Sequence, residues 1–133
     1  MTSTKAETEV RSALQSFVGS YQRQDLDGLL AAWSEDFVDM QHGLPTAIGA
    51  DALSVRRTMI GASFVRFESE LDVQLDDVVE LAPHWVLVTG RIDVHLVNRT
   101  TRERSLRSKR FMELWNWKSG GWKIRFGMTN LPE

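Results

Sequence analysis

Two carboxylates and an arginine in strand-like stretches are the residues of this sequence best suited to proton transfer. Arg91 and Asp93 lie two positions apart, and Glu113 has Phe111 and Trp115 two positions away on either side. A carboxyl group among aromatic side chains tends to have a raised pKa, which suits general acid or base catalysis. We therefore predict Glu113 and Asp93 as proton-transfer groups, with Arg91 as a charge partner or oxyanion stabiliser.

The segments that carry these residues alternate between polar and apolar positions as β-strands do. Side chains of a strand point alternately to its two faces, so residues of one parity share a face. We expect the turn near residues 100 and 101 to place residues of like parity opposite each other. Asp93 would then lie near Lys109, and Arg91 near Phe111 and diagonal to Glu113. The odd-numbered face, which carries these charged residues, is therefore one candidate for the lining of a pocket.

The even-numbered face would then be a large apolar surface. An apolar surface of that size needs a cover, and a second copy of the same sheet supplies one in an isologous homodimer. The residues concerned are Val86, Val88, Ile92, Val94, Leu96, Met112 and Leu114.

A second interpretation places the same charges in solvent. In that case the charged and polar odd positions form a cross-strand ladder on the surface, while Ile92 and the even-numbered valines face the helices. The members of this ladder would be Arg91, Asp93, His95, Arg107 and Lys109.

The elements that position these residues follow from the spacing of apolar side chains. Apolar residues recur at three- and four-residue steps near the N-terminus, and Thr4 with Glu7 fits a capping box there. After Gly61 the period changes to two, which predicts strands joined as antiparallel hairpins. The predicted helices span 4–22, 26–33 and 50–60, and the predicted strands span 36–41, 67–75, 85–98, 104–118 and 122–130. Segregated helices and strands of this kind favour an α+β fold.

Two stretches carry a resemblance to a known family. The segment from Gln24 to Val38, with Asp25-Leu26-Asp27 and Trp33-Ser34-Glu35-Asp36-Phe37-Val38, is similar to the signature of the nuclear-transport-factor-2-like superfamily. The run Gly120-Gly121-Trp122-Lys123-Ile124 is similar to its last turn and strand. Within that superfamily, also called the cystatin-like cone fold, the sequence most resembles the small SnoaL-like proteins.

The resemblance covers nearly the whole chain and implies a single domain over 1–133. It implies three N-terminal helices packed on a strongly curved, mixed or antiparallel sheet that encloses a cone-shaped pocket. It also implies a site without cofactor or metal and a homodimer that forms through the sheet face. The fold is shared by isomerases, dehydratases, cyclases, epoxide hydrolases and proteins without known reaction, so it does not choose among them.

Two enzyme types of the family serve as templates for the site. In ketosteroid isomerase-like members the catalytic positions align with Phe17, Gln41 and Glu113, of which only Glu113 keeps an acid. In limonene epoxide hydrolase-like members an Arg-x-Asp motif resembles Arg91-Ile92-Asp93, but Thr129 or Asn130 stands where the second acid belongs. Neither catalytic set is therefore complete. Both alignments nevertheless imply that the odd-numbered face of the strands lines the pocket.

The predicted ligand is a small hydrophobic or aromatic molecule. An acid–base enzyme without cofactor and a non-catalytic ligand-binding or dimerisation module both fit this pocket. The predicted ligand-binding residues are Phe17, Tyr21, Trp33, Asp39, Gln41, Phe111 and Trp115.

Composition excludes several other function classes. The chain has 133 residues, no cysteine and a formal net charge of −2. Without cysteine there is no thiolate nucleophile and no cysteine-ligated metal, and the three histidines have no metal-site spacing. The slightly acidic charge argues against nucleic acid as a partner, and no apolar run is long enough to span a membrane. We expect a cytoplasmic protein.

Overall fold

The computed structural model describes residues 2–131 and begins with the predicted first helix, α1 (Lys5–Gln22). Thr4 caps it: the backbone N–H of Glu7 donates to the Thr4 hydroxyl at 3.2 Å, and the backbone N–H of Thr4 donates to the Glu7 carboxylate at 3.0 Å. This reciprocal pair is the capping box that the sequence predicts. The predicted start and end of α1 are confirmed to within one residue.

The second helix is shorter than predicted. α2 spans Leu26–Leu30, and Trp33 already belongs to strand β1 (Trp33–Met40). The strand begins early because its neighbour in the sheet holds it: Trp33 pairs with Ile124, and the backbone N–H of Ile124 donates to the Ala32 carbonyl at 2.8 Å. The predicted end of α2 is therefore about one turn too late, because Trp33 continues the helical spacing of Leu26, Leu29 and Leu30.

The third helix is longer than predicted. After a two-residue strand β2 (Ala47–Ile48), α3 runs over Ala50–Arg66 and continues through Gly61, which we expected to end it. A Cβ added at Gly61 would lie 3.5 Å from the Leu26 side chain, so this glycine lies where α2 packs against α3. At that distance an added methyl group would make an ordinary van der Waals contact, and Gly61 lies within α3 rather than at its end.

A six-stranded sheet completes the fold. The remaining strands are β3 (Phe67–Ala82), β4 (Trp85–Asn98), β5 (Arg104–Lys118) and β6 (Gly121–Asn130). The strand order is β2-β1-β6-β5-β4-β3, with β1 parallel to β6 and every other neighbouring pair antiparallel. The sheet is mixed and open, and the helices pack on its concave face. The predicted α+β class is confirmed.

Strand β3 is longer than its predicted range of 67–75. The pairing of β3 with β4 shifts between Leu75 and Asp77, so Asp76 is an extra residue, as in a β-bulge. The shift reverses the alternation of faces, and Val78 is buried where a regular strand would bury an odd-numbered residue. Because the bulge interrupts the period of two, the residues that follow it were not predicted as part of the strand.

The register of β4 and β5 corrects the predicted parity. The hairpin closes on the pair Val97–Arg104, so each odd residue of β4 lies opposite an even residue of β5. The Asn98 side chain accepts from the backbone N–H groups of Thr100 and Thr101 at 2.9 and 3.0 Å, and Arg102 adopts a φ of 63°. This turn sets a register one residue away from the one we assumed, which moves every β4 side chain to the other face.

The core consequently uses the even residues of β4 and the odd residues of β5. Val86, Val88 and Leu96 of β4 are buried, as are Phe111 and Trp115 of β5. The even-numbered residues of β4 that were predicted as an exposed dimer surface thus face the helices. Met112 and Leu114 of β5 do lie on the outer face of the sheet. Among residues 2–131 the structure contains no helix long and apolar enough to cross a membrane.

Candidate functional site

A cavity lies between the helices and the concave face of the sheet. It has a volume of about 170 Å³ and is lined mainly by apolar side chains, with a minority of polar ones. Both sheet and helices contribute, since α1, α3 and five of the strands reach it. The lining residues are Phe17, Tyr21, Trp33, Gln41, Arg56, Met59, Ile60, Ser63, Leu71, Ile92, Val94, Leu96, Arg107, Lys109 and Thr129.

The aromatic wall of the cavity includes three of the residues predicted to bind a ligand. Phe17 and Trp33 meet edge to face with ring centroids 5.5 Å apart, and Tyr21 meets Phe64 in the same way at 5.2 Å. Burial raises the pKa of the Tyr21 phenol, partly offset by the hydroxyls of Ser69 and Ser63. The phenol therefore stays protonated and can donate a hydrogen bond at neutral pH.

The floor of the cavity holds a buried ion pair. The Asp39 carboxylate accepts from Arg56 at two points, with Nε–Oδ2 at 2.7 Å and Nη2–Oδ1 at 2.9 Å. The Gln41 amide also donates to Asp39 Oδ2, at 3.1 Å. Only 1% of the Asp39 side chain and 17% of the Arg56 side chain is exposed. Gln41 and Arg56 line the cavity, whereas Asp39, which we predicted to contact the ligand, lies behind them.

Arg56 is a site residue that we did not predict. It lies on the same helical face of α3 as Ala52, Ile60 and Ser63, at steps of three and four residues. Its guanidinium also lies 5.3 Å from the centre of the Trp33 ring. The signal was available in the sequence, because a charged residue within the inward stripe of a helix is rarely buried unless it has a partner.

Glu113 points to the concave face in the same cross-strand row as Asp39, but it does not line the cavity. The Trp115 indole N–H donates to its Oε1 at 3.2 Å. Burial raises the pKa of Glu113 to about 7; the Asp39 carboxylate also raises it, while Trp115 and the Arg56 charge lower it. No described residue forms an ion pair with it. Glu113 thus exchanges a proton near neutral pH, as the aromatic flanks in the sequence predict.

Gly127 separates the carboxyl groups of Asp39 and Glu113 within one row of the sheet. Asp39 pairs with Gly127, and Gly127 pairs with Glu113, so the three form one row across β1, β6 and β5. Strands two apart in a sheet put the outer Cα atoms roughly 10 Å from each other. The Phe37 ring covers the glycine, at 3.2 Å from where a Cβ would stand. The row therefore presents two acids with an aromatic ring between them.

Two more cations reach the cavity from β5. Lys109 and Arg107 both line it, and they pair with Ile92 and Val94 of β4. Burial lowers the pKa of Lys109, and the charges of Arg56 and Arg107 lower it further, against a smaller opposite effect of Asp39. We had placed Lys109 beside Asp93. The observed register places it opposite Ile92 instead.

Arg91 and Asp93 lie on the convex face, away from the cavity. Arg91 Nε donates to Asp93 Oδ1 at 3.0 Å, and the Ser108 hydroxyl donates to the same oxygen at 2.6 Å. The hydrogen bonds from Ser108 and Arg91 hold the pKa of Asp93 below its usual range, and 47% of the Arg91 side chain is exposed. The placement that suggested catalysis by these two residues is wrong, and the surface-ladder interpretation fits the structure at both.

The remaining predicted ligand-binding residues belong to the core. Phe111 and Trp115 are buried on the concave face but do not line the cavity. The Phe111 ring lies over Gly90, where a Cβ would stand 3.0 Å from its Cε1 atom. Thr129 does line the cavity, and its hydroxyl accepts from the backbone N–H of His42 at 3.3 Å. Within residues 2–131 no three potential metal ligands cluster together.

Comparison with solved structures identifies the fold. A ketosteroid isomerase-like protein from Erwinia carotovora atroseptica is similar over 98% of this chain and 99% of its own, with 17% identity and a TM-score of 0.79. An NTF-2-like protein of unknown function from Shewanella oneidensis matches over 92% and 96%, with 17% identity and a TM-score of 0.74. An uncharacterised protein with a cystatin-like fold from Caulobacter vibrioides matches over 98% and 92%, with 11% identity and a TM-score of 0.77.

Sequence comparison adds nothing to this result. No protein-family profile matches the chain, and no curated protein matches it at a significant level. At these low identities the structural likeness defines the fold and leaves the activity open. The chain has the cystatin-like fold of the nuclear-transport-factor-2-like proteins, as its sequence resemblance implied.

Proposed function

We propose that this domain binds a small hydrophobic or aromatic molecule in the cavity between α1, α3 and the sheet. The observation that carries the proposal is the lining itself: a mainly aromatic and aliphatic wall with a minority of polar groups, as in ligand sites generally. A cavity of about 170 Å³ is only slightly larger than apolar cavities of roughly 150 Å³ that hold a benzene molecule. A single ring is therefore the expected size of the ligand.

A pair of matched substitutions tests the binding proposal. Val94→Phe adds a ring inside the cavity, whereas Val97→Phe adds the same ring on the other face of the same strand. Isothermal titration with benzyl alcohol should show binding to the wild type and to Val97→Phe and at least a tenfold loss for Val94→Phe. Thermal unfolding of all three proteins shows that each is folded. Equal binding by the two variants would exclude this cavity as the site.

A second candidate is an acid–base enzyme that needs no cofactor. Glu113 favours it, because a buried carboxyl group with a pKa of about 7 is available both as acid and as base at neutral pH. Arg56 and Lys109 are the groups suited to stabilise negative charge that develops on a substrate. The reaction classes that suit this set are isomerisation, dehydration, cyclisation and epoxide opening. One solved structure of the same fold is described as ketosteroid isomerase-like.

Turnover and binding separate the two candidates. Cyclohexene oxide and 3-hydroxycyclohexanone are single-ring probes for epoxide hydrolysis and dehydration. If Glu113 transfers the proton, Glu113→Gln should lower turnover of the active probe by about 10²- to 10⁴-fold while its affinity stays within a few-fold. Glu103→Gln, at an exposed position of the β4–β5 turn, is the control. Binding without turnover by the wild type would leave the non-catalytic function.

We further propose that the convex face of the sheet forms a homodimer. Met40, Met112 and Met128 make one row across β1, β6 and β5, and Val38, Phe126 and Leu114 make the next. Met112 and Met128 are 49% and 46% exposed. Two adjacent apolar rows on a sheet suit burial against a second copy related by a two-fold axis. This surface replaces the even-numbered β4 residues that we first assigned to the interface.

A further inference from the structure

The charges inside the cavity do not balance. Three basic side chains line it, Arg56, Arg107 and Lys109, and no carboxylate does. Arg56 is neutralised by Asp39, which binds it at two points from behind the wall. Arg107 and Lys109 form no ion pair with any residue in 2–131. Two cations therefore face the cavity without a partner from the described chain.

Because Lys109 is partly buried, its unpaired charge is energetically unfavourable when no ligand is bound. The side chain is half-buried, and the residue opposite it on β4 is Ile92, with Val73 beyond on β3. Its pKa is lowered by that burial and by the two neighbouring guanidinium groups. An ammonium group in apolar surroundings gains most from an anion that replaces its lost water.

Arg107 lies one step further along the same face of β5. It is exposed, and its guanidinium lies 5.8 Å from the centre of the Phe67 ring. Alternate residues of a strand are roughly 7 Å apart, so one anionic group between the two side chains can contact both. The apolar wall of Phe17, Trp33 and Leu71 remains for the rest of the ligand.

We propose that the cavity selects a small ring compound that carries a carboxylate, with Lys109 and Arg107 binding the anionic group and the apolar wall holding the ring. This inference deepens the binding function proposed above and rests on it. Lys109, as the more buried of the two cations, makes the larger contribution. A carboxylate has two oxygens and can accept hydrogen bonds from both cations at once.

A matched ligand pair tests the charge preference directly. Benzoate and benzamide have nearly the same size and shape and differ in charge. Isothermal titration at pH 7 and low salt should show benzoate binding roughly 10- to 100-fold tighter than benzamide, the range expected for a hydrogen bond to a charged group in a partly buried site. Phenol, titrated in parallel, should bind no tighter than benzamide.

A matched pair of variants assigns the preference to Lys109. Lys109→Met should bring benzoate affinity to within a few-fold of that of benzamide and leave benzamide binding within about threefold, because the apolar length of the side chain is kept. Arg110→Met removes the neighbouring charge on the other face of β5, where Arg110 donates to Asn130 at 3.1 Å, and should change neither affinity.

The outcomes separate the two proposals. Equal affinity of the wild type for benzoate and benzamide, with both binding, would overturn the anion preference and leave the cavity as a binding site. A benzoate preference that survives in Lys109→Met would also overturn it. Failure of every ring compound to bind would overturn the binding function itself.

Discussion

Arg56 of α3 donates to both carboxylate oxygens of Asp39 of β1, at 2.7 and 2.9 Å, in the floor of the cavity. The pair links α3 to β1, which pairs in parallel with β6. The Gln41 amide adds a third donor to the same carboxylate. Burying such a pair costs solvation free energy, but removing one partner costs more, because the other charge stays buried alone.

Substitution of one partner of this ion pair should therefore be strongly destabilising. We expect Asp39→Asn and Arg56→Met each to lower the free energy of unfolding by about 3 kcal/mol. The double variant should lose clearly less than the sum of the two, because it leaves no unpaired charge. Urea unfolding of the four proteins measures this coupling. Additive losses would mean that the two groups do not depend on each other.

The pKa of Glu113 gives a pH dependence with a definite sign. The carboxyl titrates at about 7 in the folded protein, against 4.5 for an ordinary glutamate. Between these values the folded state holds a proton that the unfolded state has lost, so stability falls as pH rises through this window and is level above it. The full loss is roughly 3 kcal/mol.

Glu113→Gln should remove that slope. The amide cannot ionise, so the difference in the free energy of unfolding between pH 5 and pH 8 should shrink by most of this amount relative to the wild type. Chemical unfolding at both values measures it, with Glu103→Gln as the exposed control. If Glu113→Gln keeps the slope of the wild type, another group is responsible for it.

Gly90 should be the glycine least tolerant of a side chain in the sheet. A Cβ there would stand 2.2 Å from the Gln74 carbonyl oxygen, an atom of the β3 backbone that cannot move without disturbing the bulge. We expect Gly90→Ala to cost about 3 kcal/mol or more, at the upper end of overpacking effects. Gly121→Ala is the control, because its nearest atom lies 3.8 Å away on the flexible Lys123 side chain. Thermal unfolding that shows equal losses would contradict the close approach.

The proposed dimer predicts a change of mass. Met128→Lys places a charge in the middle of the methionine row, and light scattering after size exclusion should show a monomer where the wild type is a dimer. Arg91→Met, on the same face but in the charged ladder, should leave the dimer intact. A wild type that is monomeric at high micromolar concentration would exclude the interface.

The sequence predicts the order of elements well, because most signals are local. The capping box at Thr4 and the hairpin turns depend on a few adjacent residues, and they appear where expected. Elements that depend on distant partners were misjudged. Trp33 looks helical until Ile124 pairs with it, and Gly61 looks like a helix end until Leu26 packs against it.

The candidate site depends on register, which a single turn decides. Four of the seven predicted ligand-binding residues line the cavity, because they lie on the inward faces of α1 and β1, whatever the hairpin does. Arg91 and Asp93 were assigned to the cavity because the family alignments favoured the odd-numbered face and the turn near residues 100 and 101 was expected to pair residues of like parity. The observed register differs by one residue and places both outside. Glu113 kept its place because its aromatic neighbours mark the inward face of β5 independently of β4.

The pairing of β1 with β6, the last strand of the chain, also limits how early the protein can fold during its synthesis. His42 and Thr129 are in contact across 87 positions of the chain, so most of the polypeptide must leave the ribosome before β1 finds its neighbour. Contacts between such distant residues close late and slow folding. Until then Asp39 has no β6 beside it and Glu113 lacks one wall of its surroundings. A nascent chain paused before residue 121 therefore leaves the facing edges of β1 and β5 unpaired, and unpaired strand edges make such a species prone to aggregation.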